Sequence, residues 1–233
     1  MNEKKAVNYI FITSKLWHIK EFNKQTKKIS GNWYLFQNLD KKNLDQIFNL
    51  NPKFIFFPHW SHKVSKKLIE TFDCVCFHET DLPFGRGGSP IQNLIVNGYK
   101  TTFITALKMD ENFDSGPIYL KKPLSLLGSA EEIYLNSASI MFEMIVEIID
   151  KKIIPKPQRG NPTYFKRRKL YQSEIPKNLK TLEEFYDFIR MLDAHEYPSA
   201  FLELGNFKIS FKNASRRISK IESLVEITKI KKD

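Results

Sequence analysis

Two side chains in this 233-residue chain stand where acid–base chemistry is commonly done. His78 closes the apolar run Asp73-Cys-Val-Cys-Phe77 and opens a turn-rich loop carrying one arginine and three glycines. Asp114 lies in the polar turn Asp110-Glu-Asn-Phe-Asp-Ser-Gly116, between two strand-like segments. A carboxylate beside an imidazole fixes its tautomer and stabilises the protonated form, so the pair reads as a general base and its orienting group. The other histidines say less. His18 and His195 have no acidic or hydroxyl neighbours in sequence and read as surface or packing residues. His59 and His62 flank Trp60 after an apolar run, which suits a binding loop or plain structural placement equally.

Other chemistries are poorly supported. Gly85-Arg-Gly-Gly88 invites a phosphate cradle, yet it lacks the Lys-Ser/Thr of a P-loop and the full G-x-G-x-x-G of a dinucleotide turn. Its glycines imply a tight turn with close backbone approach. There is no G-x-S-x-G elbow for a hydrolase triad. Cys74 and Cys76 share one face of a strand with no second pair to complete a zinc site, so no metal is expected. They read as small buried hydrophobes in a reducing compartment, which places the protein in the cytoplasm.

The elements that must hold these residues follow from hydrophobic periodicity. Tyr9-Ile-Phe-Ile12, Trp33-Tyr-Leu-Phe36, Phe54-Ile-Phe-Phe57 and Val75-Cys-Phe77 are short apolar runs with little alternation, separated by segments of helical spacing. Such runs indicate a mostly parallel sheet covered on both faces, a doubly wound α/β domain in which ligands bind at the carboxyl ends of strands. His78 is at such an end. Ser89-Pro90 should cap the next helix, Thr101–Lys108 and Pro117–Lys121 read as strands, and Ser129-Ala-Glu-Glu132 should start a long amphipathic helix through Ile148. Lys152 to Gly160 has the Pro and Gly content of a linker. A helix from about Thr181 to Ala194 and three short strands then form a small C-terminal α+β subdomain. The expected organisation is a catalytic domain over residues 1–150, a linker over 151–161 and the small subdomain over 162–233.

The net charge of +11 would suit nucleic acid, acidic lipid or a phosphorylated small molecule. The lysines are spread along the whole chain, however, and a solvated surface accounts for them. No segment approaches the roughly eighteen uninterrupted apolar residues of a membrane span, and Asn8 to Thr13 reads as a first strand, not a signal peptide.

The segment Cys76-Phe-His-Glu-Thr-Asp-Leu-Pro83, followed by Arg86-Gly87 and Pro90-Ile-Gln92, and the later Asp114-Ser-Gly116 turn resemble two motifs of the formyltransferases that use N10-formyltetrahydrofolate. The similarity runs over about residues 50 to 150, in the family's order and spacing. Tyr164 to Arg168 and Tyr197 to Phe201 look like the small C-terminal part of sugar-modifying members. The wording around His78 most resembles methionyl-tRNA formyltransferase-like proteins of bacterial nonulosonic (pseudaminic-type) sugar pathways.

The resemblance implies a Rossmann-like formyltransferase fold, with His78 and Asp114 on the family's catalytic histidine and aspartate. Cys76 falls where the family usually has asparagine, credited with holding the developing oxyanion; a cysteine is no equivalent donor, and Thr80 or backbone N–H groups would take over. It implies N10-formyltetrahydrofolate as co-substrate, walled by Trp60, His62, Val64, Thr80, Asp81, Leu82 and Pro83, with the acceptor against Arg86, Gly87, Gly88 and Ser89. About seventy residues follow the linker, which favours a nucleotide-linked amino sugar as acceptor. Arg86, Lys166, Arg167 or Arg168 would meet its diphosphate. Methionyl-tRNA or another amine is the alternative acceptor. A basic nucleic-acid-binding module without catalysis is the alternative of another class, and no aromatic-interleaved basic patch supports it. The expected partners therefore include neither membrane nor nucleic acid, and a homodimer is left open.

Overall fold

The computed structural model describes residues 6–230. Its elements run β1 (Asn8–Ile12), α1 (Leu16–Gln25), β2 (Asn32–Phe36), α2 (Lys41–Leu50), β3 (Phe54–Phe57), α3 (Lys66–Thr71), β4 (Asp73–His78), β5 (Arg86–Gly87) and α4 (Pro90–Val96). Then come β6 (Thr101–Lys108), β7 (Ile118–Ser125), α5 (Ala130–Lys151), β8 (Tyr164–Phe165), α6 (Leu182–Arg190), β9 (Ala200–Leu204), β10 (Phe207–Arg216) and β11 (Ile221–Lys229). They fall into two compact units that interleave along the chain. Of the described residues, the first comprises 6–86, 103–124 and 135–164; the second comprises 87–102, 125–134 and 165–230. The segment read as a linker lies within the first.

The first unit is built on a six-stranded sheet of order β2-β1-β3-β4-β6-β7. β1 pairs in parallel with β2 and β3, β3 pairs in parallel with β4, and β6 runs antiparallel to β4. This is the doubly wound, mostly parallel sheet that the apolar runs suggest. Period-two alternation explains how both faces are covered. Ile10, Ile12, Ile55, Phe57 and Cys74 point to one face and pack with Ile47 of α2 and Leu68 of α3. Phe11 and Phe56 point to the other, where Phe11 meets Phe22 of α1 and Phe142 of α5, and Trp33 stacks near Phe56. Because β2 and β3 flank β1 on opposite sides, the chain reverses direction across the sheet there. The carboxyl ends of β1, β3 and β4 border the crevice such a reversal creates.

The second unit holds an antiparallel sheet of order β11-β10-β9, on which α6 lays Phe185 edge-on to Phe211. Thr181 and Glu184 form the capping box that starts α6, and Ser129 and Glu132 exchange the same pair of bonds at the start of α5. Buried Arg190 donates to the Asp187 carboxylate and to the carbonyls of Leu126 and Gly128. Ser89 departs from the cap expected of it. Its φ is +53° and its side chain caps nothing; the hydroxyl accepts from the Arg168 N–H instead. Pro90 leaves the first turn one fewer donor to satisfy, and the left-handed backbone turns Oγ away from the rest.

His18 lies in the core of the first unit, 1% exposed. Its ring sits among those of Phe11, Trp17 and His59, and neither ring nitrogen has a hydrogen-bond partner. Burial, then the neighbouring His59, pushes its pKa well below 6.5. The unfolded chain therefore binds a proton that the folded chain refuses, so His18 costs no stability above pH 6.5 and an increasing amount below it. Denaturant midpoints are expected to drop as pH falls from 7 to 5.5, with a slope contribution of up to about 1.4 kcal/mol per pH unit. His18→Phe should flatten that limb, and an unchanged slope in the variant would refute the assignment.

Candidate active site

β4 carries His78 to the carboxyl edge of the sheet on the same face as Cys74 and Cys76. The His78 ring is buried, and its Nε2 lies 2.8 Å from the Gly85 carbonyl oxygen. A carbonyl only accepts, so Nε2 carries the proton and Nδ1 is left as the basic nitrogen. Nδ1 faces Asp114 Oδ2 at 3.6 Å, longer than a hydrogen bond and short enough to stabilise an imidazolium. The pair singled out from sequence is thus brought together, with the base nitrogen and the carboxylate on one side of the ring.

Asp114 is held by the turn between β6 and β7. Asp110 accepts from the Asn112 N–H and the Ser115 hydroxyl, an Asx-type closure of the loop. Asp114 itself is left-handed, with φ +54°, a conformation that aspartate tolerates better than most residues. Gly116 passes so near β6 that a Cβ there would stand 1.8 Å from the Lys108 carbonyl oxygen.

The residues assigned to the folate walls divide by burial. Trp60 is half-buried and His62 is exposed, whereas Val64 and Leu82 are core side chains, 4% and 0% exposed. Val64 and Leu82 can offer a ligand only backbone groups. Asp81 and the Leu82 carbonyl are tied to the Lys121 ammonium, and the Pro83 carbonyl accepts from the Thr163 N–H. The Trp60 indole N–H and the Thr80 hydroxyl are buried without protein partners. Two orphaned polar atoms on assigned residues are compatible with a polar heterocycle in this region.

Arg86 also belongs to the first unit. Its Nη2 donates to Gln158 Oε1 at 2.7 Å, while its buried Nε has no protein acceptor. Gly87, Gly88 and Ser89 belong to the second. A Cβ on Gly87 would lie 2.4 Å from the Phe165 carbonyl, and one on Gly88 would lie 2.4 Å from Arg167 Cβ. These glycines admit the 165–167 backbone. Among the described residues, no group of three or more His, Cys, Asp or Glu could hold a metal ion, and no helix is long and apolar enough to cross a membrane.

Two features escaped sequence reasoning. Glu79, beside His78, is buried, and its Oε1 lies 3.6 Å from Nδ1 of His59. Burial pushes this carboxyl up, but its interactions with His59 and, less strongly, with His78 outweigh that and hold Glu79 below the usual range. An apolar-run boundary followed by an acidic residue was the only hint. Gln158 is the second, hidden in a segment whose Pro and Gly content reads as a linker. Cys76, which stands where the resemblance implies asparagine, has a thiol that burial pushes well above its ordinary value, with Asp114 adding to the shift. It is a neutral S–H on the same strand face as His78, two residues before it. Cys74 is likewise pushed up to about 12, mainly by burial.

The first unit is a doubly wound α/β sheet with His78 facing Asp114 at its edge, and comparison with known proteins assigns the family. A model described as "Formyl transferase" matches residues 18–149, and one described as "Methionyl-tRNA formyltransferase, C-terminal domain" matches residues 170–228. The chain belongs to the formyl transferase family. A methionyl-tRNA formyltransferase of Thermodesulfovibrio yellowstonii is 31% identical over 178 residues, covering 73% of this chain and 57% of that protein. The chain thus spans little more than half the length of the curated relatives it matches. A solved structure described as methionyl-tRNA formyltransferase from Clostridium thermocellum superposes with a TM-score of 0.90 at 43% identity, covering 96% of this chain and 99% of that one. A sugar N-formyltransferase from a Shewanella species gives a TM-score of 0.70 at 13% identity, covering 91% and 99%; at that identity the likeness is one of fold.

Proposed function

We propose that this protein transfers a formyl group from N10-formyltetrahydrofolate to a primary amine, with His78 as general base and Asp114 as its partner. The observation that carries this reading is Nδ1 of a buried histidine facing a carboxylate at 3.6 Å, in a chain of the formyl transferase family. When bound, the folate supplies a formyl carbon activated toward nucleophiles by its attachment to nitrogen. The residues then divide the proton work. His78 Nδ1 accepts a proton as the acceptor nitrogen forms its bond to the formyl carbon. The imidazolium is stabilised by Asp114, and the same side of the ring returns the proton to the departing nitrogen. Trp60, His62, the backbone at Val64 and the Thr80–Pro83 segment would hold the folate, and Arg86 would face the acceptor. Gly87, Gly88 and Ser89 remain proposed acceptor residues.

Methionyl-tRNA is the acceptor best supported, because relatives above 30% identity and the matched C-terminal family both bear that description. The nucleotide-linked amino sugar expected from the wording around His78 has weaker support, since the sugar enzymes share the fold at low identity. The test is incubation with N10-formyltetrahydrofolate and, separately, methionyl-tRNA and a panel of nucleotide-linked amino sugars. Mass spectrometry then follows the gain of one formyl group. Formylation of methionyl-tRNA supports the favoured acceptor, formylation of a sugar replaces it, and no transfer to any amine overturns the reading.

Cys76 gives a further expected result. Its S–H is a weak donor to an oxyanion compared with an amide. Cys76→Asn should raise kcat by about tenfold, given that a single well-placed donor is worth roughly 10²–10³ in known cases. A rate at or below that of the parent would show that the oxyanion is held elsewhere.

A further inference from the structure

We propose that Gln158 is a positioning residue that couples Arg86 to the carboxylate of Asp114, so that an anionic group of the acceptor, on reaching Arg86, bears on the geometry of the catalytic pair. The inference rests on the reading of His78 and Asp114 given above.

One side chain connects the two elements. Gln158 Oε1 accepts from Arg86 Nη2 at 2.7 Å, and Nε2 donates to the carbonyls of Asp114 at 2.8 Å and Gly116 at 2.9 Å. The guanidinium can only donate and the two carbonyls can only accept, so the amide has a single workable orientation. Glutamate would lack the donor, and lysine would lack the acceptor.

Asp114 needs such a brace. Its backbone is left-handed, which costs free energy that surrounding contacts must outweigh. Both carbonyls that flank Ser115 converge on one amide nitrogen, and this fixes the plane from which the Asp114 carboxylate reaches toward His78. The same chain segment braces the other side of the site. Thr163 accepts the Arg86 N–H through its carbonyl and the Gly85 N–H through its hydroxyl, and the Gly85 carbonyl takes the proton of His78 Nε2. The segment containing Gln158 and Thr163 therefore sets the position of His78 and of Asp114 at once.

Arg86 adds the link to substrate. Its Nη2 is engaged, while its buried Nε–H has no protein acceptor. A phosphate or carboxylate meeting that edge of the guanidinium would share it with Gln158 and alter the pull on the amide. Such a group occurs in nucleotide-linked sugars and in tRNA alike, so the coupling does not depend on which acceptor is correct.

The test has a structural and a kinetic arm. In amide-resolved NMR of the intact protein, Arg86→Ala should shift the backbone signals of residues 112–117, and the shift should vanish in a Gln158→Ala background. Equal shifts with and without Gln158, or none at all, overturn the coupling. Kinetically, Gln158→Glu should lower kcat by about 10- to 100-fold with the KM for the folate changed less than about twofold. A parallel rise in KM would mark a merely structural role. Arg86→Ala and Gln158→Ala should be non-additive in kcat. If Gln158→Ala fails to fold, Gln158→Glu, which keeps the shape and the Arg86 contact, serves as background in both arms. Absence of formyl transfer by the parent protein, with the NMR coupling intact, would overturn the functional reading and leave standing only the structural coupling of Arg86 to the Asp114 turn.

Discussion

Replacing His78 by asparagine is expected to lower kcat for formyl transfer by roughly 10²–10⁴-fold while leaving folate affinity near its parent value. Asparagine can still donate a side-chain N–H toward the Gly85 carbonyl, which His78 Nε2 approaches at 2.8 Å. It has no basic nitrogen to replace Nδ1 opposite Asp114. The attacking amine would then have to lose its proton to water in a buried site, where an ammonium intermediate is poorly solvated. Single-turnover rates and equilibrium binding of a stable folate analogue separate the two effects. Near-parent turnover by His78→Asn would remove the mechanism. Asp114→Asn should be milder, because Nδ1 keeps its lone pair and loses only the charge that stabilises the imidazolium. If the two variants were equally impaired, Asp114 would have to be given a proton-transfer role of its own.

The contrast between what the sequence reveals and what it hides has a physical basis. β1, β3 and β4 are legible because their residues are buried on both faces, so hydrophobicity alone marks them. His78 stands out because a polar residue ends one of these runs. Asp114 stands out because a Gly and two acidic residues mark a turn. What stays hidden depends on long-range pairing. Glu79 is a strand-end residue like any other until His59, twenty positions earlier, is folded against it. Gln158 lies in a stretch with no helical or strand period, and its role comes from carbonyls more than forty residues away. Ser89 was misread for the opposite reason. A local rule, serine before proline at a helix start, yields to a left-handed backbone and a partner at Arg168. His18 reads as a surface or packing residue, and nothing nearby in sequence decides for packing or reveals that three aromatic rings close over it. Local pattern finds the edge of the sheet; the contacts that tune the site come from chain crossings that periodicity does not record.

Gly116→Ala should be the most damaging change outside the reacting pair. The added Cβ would sit 1.8 Å from the Lys108 carbonyl oxygen, a backbone atom at the end of β6 that no rotamer change can move. Relief to an ordinary contact of 3.4 Å or more requires the two groups to separate well beyond an ångström. Lys108 is tied to the far side of the same turn through its N–H bond to the Pro117 carbonyl, so the turn itself must give. Its movement would carry Asp114 away from His78 and strain the bond from Gln158 to the Gly116 carbonyl. A misplacement of about 1 Å typically costs on the order of 10²-fold in rate, and forcing a methyl into a packed site costs about 1–3 kcal/mol of stability. The expected variant is folded, less stable and slower by about two orders of magnitude in kcat. Ser115→Ala provides the control. It removes a part-buried hydroxyl contact to the Asp110 carboxylate without adding an atom, and it should change kcat by less than about fivefold, the loss of such a hydrogen bond being worth about 1 kcal/mol. If Gly116→Ala proved as mild as Ser115→Ala, the close passage of this turn over β6 would not be what holds Asp114 in place.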